Sequence, residues 1–349
     1  MQAITFRGVR QLAFETVDDP AIFHPRDAIV RVERSAVCGS DLHVYHGREV
    51  GLDPGTVMGH EFLGTIVELG HDVRNFTAGD RVVSPFSTAC GTCDPCTRGL
   101  SARCVAGALF GWVSNQRGLQ GAQAEFVRVP LADTTLVAAP EGVDLDVALL
   151  LGDVLPTGFY AARRAEIGPR SPVVVLGCGP VGLAAVLAAR AAGAEHVFAV
   201  DGVPERRAVA AHFGATPFDP SAPDVVACLH DAGAPHGADA VLEAAGTAAA
   251  SRLALELVRP GGTIAVAAVH NESQFAFSPS AAYDKNVTHR SGRCPARSLM
   301  PDLIAWVREH QQDVAQIVTH RLPLSSGVDA YPRFDSKRDG CIKVVFHLV

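Results

Sequence analysis

The stretch SPVVVLGCGPVG, residues 171–182, decides the fold of this chain. An apolar run typical of a buried strand leads into G-x-G-x-x-G, and an Ala-rich helical stretch follows. The first glycine permits a tight turn, the second lets a pyrophosphate approach the backbone, and the third permits close helix packing. The pattern predicts a dinucleotide-binding loop. Its residues are Gly177, Gly179, Pro180, Val181 and Gly182.

An acidic residue at the end of the next apolar run supports this interpretation. Asp201 lies nineteen residues after Gly182. A carboxylate there can accept hydrogen bonds from both hydroxyls of the adenosine ribose and would repel a 2′-phosphate, which predicts NAD rather than NADP. Arg206 and Arg207 weigh against this preference, because NADP sites often use an arginine near this point. The alternative for Asp201 is a turn residue that ends a strand.

The composition excludes several classes of protein. The chain has 349 residues, 48% of them hydrophobic and 19% charged, which suits two folded domains and excludes a disordered protein. The net charge of -7 gives no basic field, so we expect neither a nucleic-acid nor a membrane partner. The apolar run 172–189 is interrupted by glycine and proline and predicts strand, turn and helix. With no export signal visible, we expect a cytoplasmic protein.

The pattern of apolar, Gly and Pro residues changes twice along the sequence, which predicts three segments. Residues 1–152 contain short β-rich runs broken by Gly and Pro, which indicate a barrel-like β domain. Residues 153–292 alternate continuous apolar runs with Ala-rich helical stretches such as AAASRLALELVRPGG, which predicts a parallel sheet flanked by helices. Residues 293–349 hold one amphipathic helix, PDLIAWVREHQQDVAQIV, and a last strand, GCIKVVFHLV. This tail is too small for a domain, and we expect it to pack on the first segment.

Residues 90–104, CGTCDPCTRGLSARC, concentrate cysteines in one short loop. Two-residue gaps let successive thiolates turn toward a common centre, and the longer return supplies a fourth corner. This spacing predicts a closed, structural tetrahedral zinc site. A disulfide pair or a chance cluster is the alternative. The four predicted ligands are Cys90, Cys93, Cys96 and Cys104.

Two more fragments, CGSDLH at 38–43 and GHE at 59–61, contain residue types that bind metals. Neither persuades alone, since a single cysteine or histidine is more often a core residue. Taken with the cysteine lobe, the glycine motif and the closing strand, in this order, they make the chain resemble the zinc-dependent medium-chain alcohol dehydrogenases. The resemblance covers nearly the whole chain and implies an α/β protein, with a GroES-like catalytic domain joined to a Rossmann cofactor domain.

The resemblance implies a second, catalytic zinc ion, with Cys38 and His60 as ligands and Glu61 as a neighbouring carboxylate. The third fixed ligand of the family precedes a Thr-Gly pair, which makes Asp153 the candidate here. The alternative for Asp153 is a helix N-cap. The implied activity is NAD-dependent oxidation of an alcohol to an aldehyde or ketone, by hydride transfer from a zinc-bound alkoxide, or the reverse.

Other activities stay open within and beyond this family. Sorbitol-type polyol and threonine-type amino-alcohol dehydrogenases share the CGSDLH and GHE fragments, and the carboxylate at Asp153 is compatible with a formaldehyde dehydrogenase. A non-catalytic relative held together by zinc is the alternative from another class. A zinc-free quinone reductase of the same superfamily is a further alternative, but these enzymes lack this ligand set. The family forms dimers and tetramers, so we expect a homodimer or a homotetramer that acts on a small molecule.

The resemblance also implies further site residues. Ser40 and His43 match a proton relay that leads away from the alcohol, Thr157 matches a position near the nicotinamide ring, and Phe86 matches a pocket-lining aromatic. Gly39 stands where other members carry a basic residue that pairs with the cofactor pyrophosphate. We therefore expect the glycine loop and Lys343 of the last strand to anchor that pyrophosphate.

Overall fold

A computed structural model of the chain describes residues 1–221 and 224–348. The chain forms two compact units. The first contains Met1–Pro156 and Pro295–Val349, and the second contains Thr157–Cys294. The first is thus discontinuous in sequence.

The helices and strands are numbered in chain order across both units. The strands are β1 Gln2–Gly8, β2 Gln11–Thr16, β3 Ala28–Val37, β4 Phe62–Leu69, β5 Arg81–Ser84, β6 Trp112–Ser114, β7 Arg117–Leu119, β8 Phe126–Val129, β9 Val137–Ala138, β10 Val173–Leu176, β11 Val197–Val200, β12 Thr216–Phe218, β13 Ala238–Glu243, β14 Val258–Val266, β15 Thr288–Ser291, β16 His320–Pro323 and β17 Val344–His347. The α-helices are α1 Asp41–Tyr45, α2 Asp94–Thr97, α3 Ala132–Thr135, α4 Leu145–Leu149, α5 Val154–Ala165, α6 Pro180–Ala191, α7 Pro204–His212, α8 Val225–Asp231, α9 Ala248–Leu257, α10 Pro279–Asp284, α11 Ala296–Ala315 and α12 Gly327–Ser336. Short 3-10 helices cover Ser101–Arg103, Leu150–Gly152, Leu324–Ser326 and Arg338–Gly340.

The first unit is built on a sheet with the order β16-β17-β3-β4-β5-β9, to which β8 adds by pairing with β3. Its central strand β3, AIVRVERSAV, is one of the β-rich runs expected in residues 1–152 and is buried at both ends. The closing strand β17 pairs antiparallel with β3, Val345 opposite Ala36, so the tail of the chain completes this sheet. Phe62 and Phe110 lie in the core below it, with their rings edge to face at 5.1 Å.

The second unit contains six parallel strands in the order β12-β11-β10-β13-β14-β15. All four residues of β10 and all four of β11 are buried, as expected for strands covered on both faces. The chain passes from β10 outward to β12 and then returns to β13 on the other side of β10. This is the doubly wound order of a Rossmann sheet, and it confirms the predicted fold class.

Two predicted helices have different limits in the structure. The helix predicted from AAASRLALELVRPGG ends at Leu257, because Pro260 and the glycines after it cannot continue it, and β14 begins in its place. The C-terminal amphipathic helix α11 begins at Ala296, five residues before Pro301, and buries Leu299 and Met300. Within the described residues no single helix has the length and apolar character to cross a membrane, although the bent pair Leu145–Gly152 and Val154–Ala165 reaches both together.

Candidate active site and metal centres

Four residues from separate segments of the first unit form one cluster. Cys38 follows β3, His60 and Glu61 precede β4, and Asp153 lies between a 3-10 helix and α5. One ligand atom from each residue lies within 4.8 Å of the corresponding atoms of the other three. The carboxylate Oδ2 of Asp153 is 3.4 Å from the sulfur of Cys38 and 3.5 Å from Nε2 of His60. The structure therefore brings together the four residues predicted for the catalytic zinc.

Glycines next to these residues allow the backbone to reach the cluster. Gly59 precedes His60 with φ +87°, and a Cβ there would lie 2.4 Å from Cγ of Gln123. Gly152 precedes Asp153, and its Cβ would lie 2.3 Å from the carbonyl oxygen of Ser84 at the end of β5. A larger residue at either position would displace the side chain that follows it.

The cluster brings several ionisable side chains close together. Burial, reinforced by the charges of Asp153 and Glu61, raises the pKa of the Cys38 thiol. Burial opposes protonation of His60, but the carboxylates of Asp41 and Asp153 raise the pKa of this imidazole well above its ordinary value. If all three were ionised, the Cys38 thiolate and the carboxylates of Glu61 and Asp153 would repel one another unless a cation lay between them. A divalent metal ion is such a cation.

Lys343 lies against this cluster, and this position corrects the prediction made for it. Its side chain is fully buried, with Nζ 2.5 Å from Oε1 of Glu61 and 3.0 Å from the carbonyl oxygen of Val37. Burial opposes its charge, but Glu61 raises the pKa of the ammonium above its usual range. Because the charge is enclosed and paired with Glu61, this position does not support Lys343 as the anchor of a pyrophosphate.

The second oxygen of Glu61 provides a test of whether a metal fits. Oε2 belongs to a completely enclosed carboxylate and has no hydrogen-bond partner within the part of the chain that the structure describes. A buried polar atom without a partner costs free energy, and such atoms are rare in folded proteins. Sulfur, imidazole and carboxylate donors form a set that zinc accepts. The residues present therefore fit a zinc ion.

Asp41 is a site residue that the sequence analysis did not single out. It is buried in the first turn of α1, where Oδ2 accepts the backbone N–H of Cys38 at 2.9 Å. Its Oδ1 lies 3.3 Å from Nδ1 of His60. One carboxylate thus fixes both the backbone of the cysteine and the ring of the histidine, as is usual behind metal-binding histidines. Its place inside CGSDLH was the available signal, but the sequence gives no distance to His60.

The other predicted residues occupy several positions. The hydroxyl of Ser40 lies 3.3 Å from Nε2 of His60, and the Phe86 ring stands edge to face with that imidazole at 6.4 Å between centroids. His43 is half-buried three positions after Ser40, on α1. Thr157 is buried in α5 and is the first residue of the second unit. The structure therefore places Ser40 and Phe86 beside His60 of the cluster. His43 lies on α1, and Thr157 lies in α5.

The cysteine lobe forms a second cluster. One atom from each of its four cysteines lies within 4.8 Å of the others, and the sulfurs of Cys93 and Cys104 are 3.9 Å apart. Backbone N–H groups of the loop donate to two of the sulfurs, from Cys93 to Cys90 at 3.4 Å and from Cys90 to Cys104 at 3.1 Å. The backbone and side-chain groups of Thr92 lower the pKa of the Cys90 thiol to about 6. Partly exposed sulfurs that accept N–H bonds fit a structural zinc ion.

The glycine turn of the second unit has the geometry predicted for it. Gly177 has φ +85°, and a Cβ there would lie 2.8 Å from the Cβ of Ala245. A Cβ at Gly182 would lie 1.7 Å from the carbonyl oxygen of Gly177, so α6 packs directly on the turn. Gly179 is the N-cap of α6, with Pro180 in the first turn. The free N–H groups at this helix end can bind an anion.

Asp201 follows β11 and is held by the backbone. Its Oδ2 accepts the N–H of Cys178 within the glycine turn at 2.7 Å, and its Oδ1 accepts the N–H of Val203 at 2.7 Å. Each oxygen retains a second lone pair for a ligand. Nη1 of Arg206 lies 3.8 Å from Oδ2 of Asp201, whereas Arg207 bonds the carbonyl oxygen of Asp201 and the carboxylate of Asp219. Arg206 is thus the arginine that accompanies this carboxylate.

Comparison with known proteins gives a consistent result. Residues 24–141 match the family model of the alcohol dehydrogenase GroES-like domain, and residues 180–309 match that of the zinc-binding dehydrogenases. A zinc-type alcohol dehydrogenase B of Aspergillus flavus is 38% identical over 99% of this chain and 81% of its own length. An NADP-dependent isopropanol dehydrogenase of Thermoanaerobacter brockii is 34% identical over 85% of each chain.

The fold agrees with this relationship. The solved structure of the alcohol dehydrogenase TADH from Thermus sp. ATN1 superposes with a TM-score of 0.93 at 36% identity, and covers all of both chains. The matching domains, the relatives and the fold point to the same group. The chain therefore belongs to the zinc-dependent medium-chain alcohol dehydrogenases.

Proposed function

We propose that this protein oxidises an alcohol to an aldehyde or ketone, and catalyses the reverse reaction, with one catalytic and one structural zinc ion and with NAD as the preferred cofactor. The observation that carries the proposal is the cluster of Cys38, His60, Glu61 and Asp153, in which one buried oxygen of Glu61 has no hydrogen-bond partner among the described residues. Zinc held there would supply the Lewis acidity that lowers the pKa of an alcohol, and the nicotinamide would accept the hydride.

The residues around the cluster have distinct roles in this proposal. Asp41 fixes the ring of His60, so that Nε2 faces the sulfur and carboxylate ligands. Lys343 balances the charge of Glu61 through Oε1 and leaves Oε2 without a hydrogen-bond partner among the described residues. Phe86 covers one side of His60 and excludes water from the reacting carbon.

The alcohol must also lose a proton. The Ser40 hydroxyl is the group next to His60 that can accept this proton and donate its own. His43, one turn along α1, is the group proposed to pass the proton onward, because an imidazole can accept a proton at one ring nitrogen and donate one from the other. Thr157 keeps its proposed place near the nicotinamide ring.

The NAD preference rests on Asp201, whose free lone pairs suit the two ribose hydroxyls. Arg206 lies beside the carboxylate and Gly179, where it can contact the ribose or a neighbouring phosphate. One relative of this chain is described as NADP-dependent, so the preference for NAD over NADP can be tested directly by measuring both. We expect kcat/KM to be at least about tenfold higher with NAD, as one repulsive contact implies, and Asp201→Ser to reduce that ratio. A wild-type preference for NADP would contradict the proposed cofactor.

Metal analysis and an alcohol panel test the activity itself. We expect two zinc ions per chain, and removal of both should abolish the oxidation of every alcohol that the untreated protein accepts. Primary, secondary and polyhydroxy alcohols, with formaldehyde and threonine, separate the substrate classes. A fully demetallated protein that retained its turnover would refute the proposed mechanism.

Three further expectations stay predictions. They are the domain limits at 152/153 and 292/293, the cytoplasmic location, and assembly into a homodimer or homotetramer. Size-exclusion chromatography with light scattering measures the last of these.

A further inference from the structure

A buried carboxylate of the second unit has no role in the function described so far. Glu243 ends β13 and is fully enclosed. Its Oε1 accepts the backbone N–H groups of Ala245 at 2.9 Å and Gly246 at 2.8 Å. Its Oε2 lies 2.7 Å from Nε2 of His270, in the loop after β14. One side chain therefore joins the loops that follow two neighbouring strands.

The loop after β13 lies beside the glycine turn, and the loop after β14 lies beside the loop after β13. A Cβ at Gly177 of that turn would meet Ala245 at 2.8 Å. Gly246 has φ +68°, and its Cβ would lie 2.7 Å from the carbonyl oxygen of Val269. The loops thus touch each other and the turn, at the point where the strand order reverses between β10 and β13. Dinucleotides bind at such a point in doubly wound sheets.

His270 closes a ring of contacts around these loops. Its Nδ1 lies 3.3 Å from Oε2 of Glu272, and Oε1 of Glu272 accepts the N–H of Ala248 at the start of α9 at 3.2 Å. The hydrogen bond to Glu243, together with both carboxylate charges, raises the pKa of His270. A further titratable group is His289 on β15, whose pKa is lowered by burial and then by the charge of His270.

We propose that His270 is a positioning residue for the dinucleotide: it bridges Glu243 and Glu272, holds residues 267–270 against the loop beside the glycine turn, and makes cofactor affinity depend on its protonation. The inference rests on the proposed function, because it requires a dinucleotide at this edge of the sheet. His270 acts through the loops rather than on the reacting atoms.

The direction of the pH effect follows from the raised pKa. The bridge is complete below the ordinary histidine pKa of about 6.5 and is lost as the pH rises through the higher pKa of the folded state. Above that pH the neutral ring leaves the enclosed Glu243 without a cationic partner, so the loops are held less firmly. Affinity for the dinucleotide should therefore fall on the alkaline side.

The test is a titration with NADH, followed by fluorescence from pH 6 to 9, on the wild-type protein and His270→Gln. Glutamine keeps a donor for Glu243 but cannot titrate. We expect Kd of the wild-type protein to rise with pH, and Kd of His270→Gln to be raised about three- to tenfold at pH 6 and to change little above it, as loss of one charge-assisted hydrogen bond implies. His230→Gln, an exposed histidine on α8, is the matched control and should behave as the wild type.

A second variant keeps the inference testable if His270→Gln does not fold. Glu272→Gln removes the outer carboxylate alone, and we expect it to shift the midpoint of the pH dependence to lower pH. Hydrogen exchange of residues 244–247 and 267–273 should quicken in both variants.

Equal Kd values at every pH for the wild type and His270→Gln, or an unshifted midpoint in Glu272→Gln, would overturn the inference alone. A wild-type protein that binds neither NADH nor NADPH would overturn the proposed function as well.

Discussion

The two cysteine-containing clusters of the first unit are assembled in opposite ways. The lobe takes its four sulfurs from fifteen consecutive residues, 90–104, and its own backbone N–H groups point at the sulfurs. The other cluster joins Cys38 to Asp153 across 115 positions and is held by side chains, Asp41 behind His60 and Lys343 against Glu61. A local site follows from spacing alone, whereas a dispersed site needs the whole unit to fold first.

Exposure separates the two clusters as well. The lobe cysteines are all partly exposed, and the chain around them carries exposed apolar residues such as Val105. In the other cluster Cys38 is partly exposed, but His60, Glu61 and Asp153 are buried, and Glu61 is completely enclosed. A metal in the lobe therefore substitutes for a core, which this short loop lacks. A metal in the buried cluster balances charge inside a core that already exists.

The largest expected effect is on turnover. Cys38→Ser should lower kcat/KM for the best alcohol about a thousandfold or more, because the Lewis acid is worth several kcal/mol and each 1.4 kcal/mol is tenfold. The melting temperature should change little, since the core of the unit persists without that thiol. Steady-state kinetics and thermal unfolding measure the two quantities.

Cys228→Ser is the matched control, since this cysteine is also partly exposed but lies on α8 of the second unit and belongs to neither cluster. It should keep wild-type turnover. Wild-type kinetics in Cys38→Ser would show that the buried cluster is not the catalytic site.

The complementary change is in the lobe. Cys93→Ser should release one zinc ion and lower the free energy of unfolding by about 3 kcal/mol, because loss of a structural metal is among the most destabilising single changes. Its turnover below the melting temperature should stay within about tenfold of wild type. Zinc analysis and chemical unfolding give both numbers.

If Cys93→Ser abolished turnover while leaving stability intact, the assignment of the two clusters would have to be exchanged. A variant that kept both zinc ions would remove the lobe from consideration as a metal site.

The smallest of the three effects tests the support behind the buried cluster. Asp41→Asn keeps the shape and one acceptor but loses the charge that faces His60. We expect zinc affinity and kcat/KM to fall about 10- to 100-fold, the usual cost of losing the partner of a metal-binding histidine. Competition with a chromogenic chelator measures the affinity, and Asp72→Asn, at an exposed position outside both clusters, is the control. Equal zinc affinities in Asp41→Asn and the wild type would show that His60 needs no such support.

The predictable parts of this protein are those that depend on neighbours in sequence. The glycine turn, the cysteine lobe and strand β3 follow from spacing and apolar pattern. The resemblance to a family supplied the long-range grouping of Cys38, His60, Glu61 and Asp153. The residues alone would not have joined them, since nothing in a local pattern reports a contact across 115 positions.

Partners across long distances were missed or misread for the same reason. Lys343 was expected at the pyrophosphate, yet it is enclosed beside Glu61, 282 positions earlier in the chain. Asp41 is part of the CGSDLH fragment, but its contact with His60 depends on how α1 packs beside residues 59–61. The pair of Glu243 and His270 joins the end of β13 to the loop after β14, and neither local sequence contains a pattern that predicts this contact.

Gly152 limits how the buried cluster could be redesigned. Because a Cβ there would meet the carbonyl oxygen of Ser84 at 2.3 Å, this glycine lets the chain pass β5 and deliver Asp153. Laboratory evolution toward another metal would naturally vary the four donors. Its libraries should hold position 152 constant. Gly152 offers no side-chain donor, but it fixes where the backbone places residue 153, and so where any new donor at that position would lie.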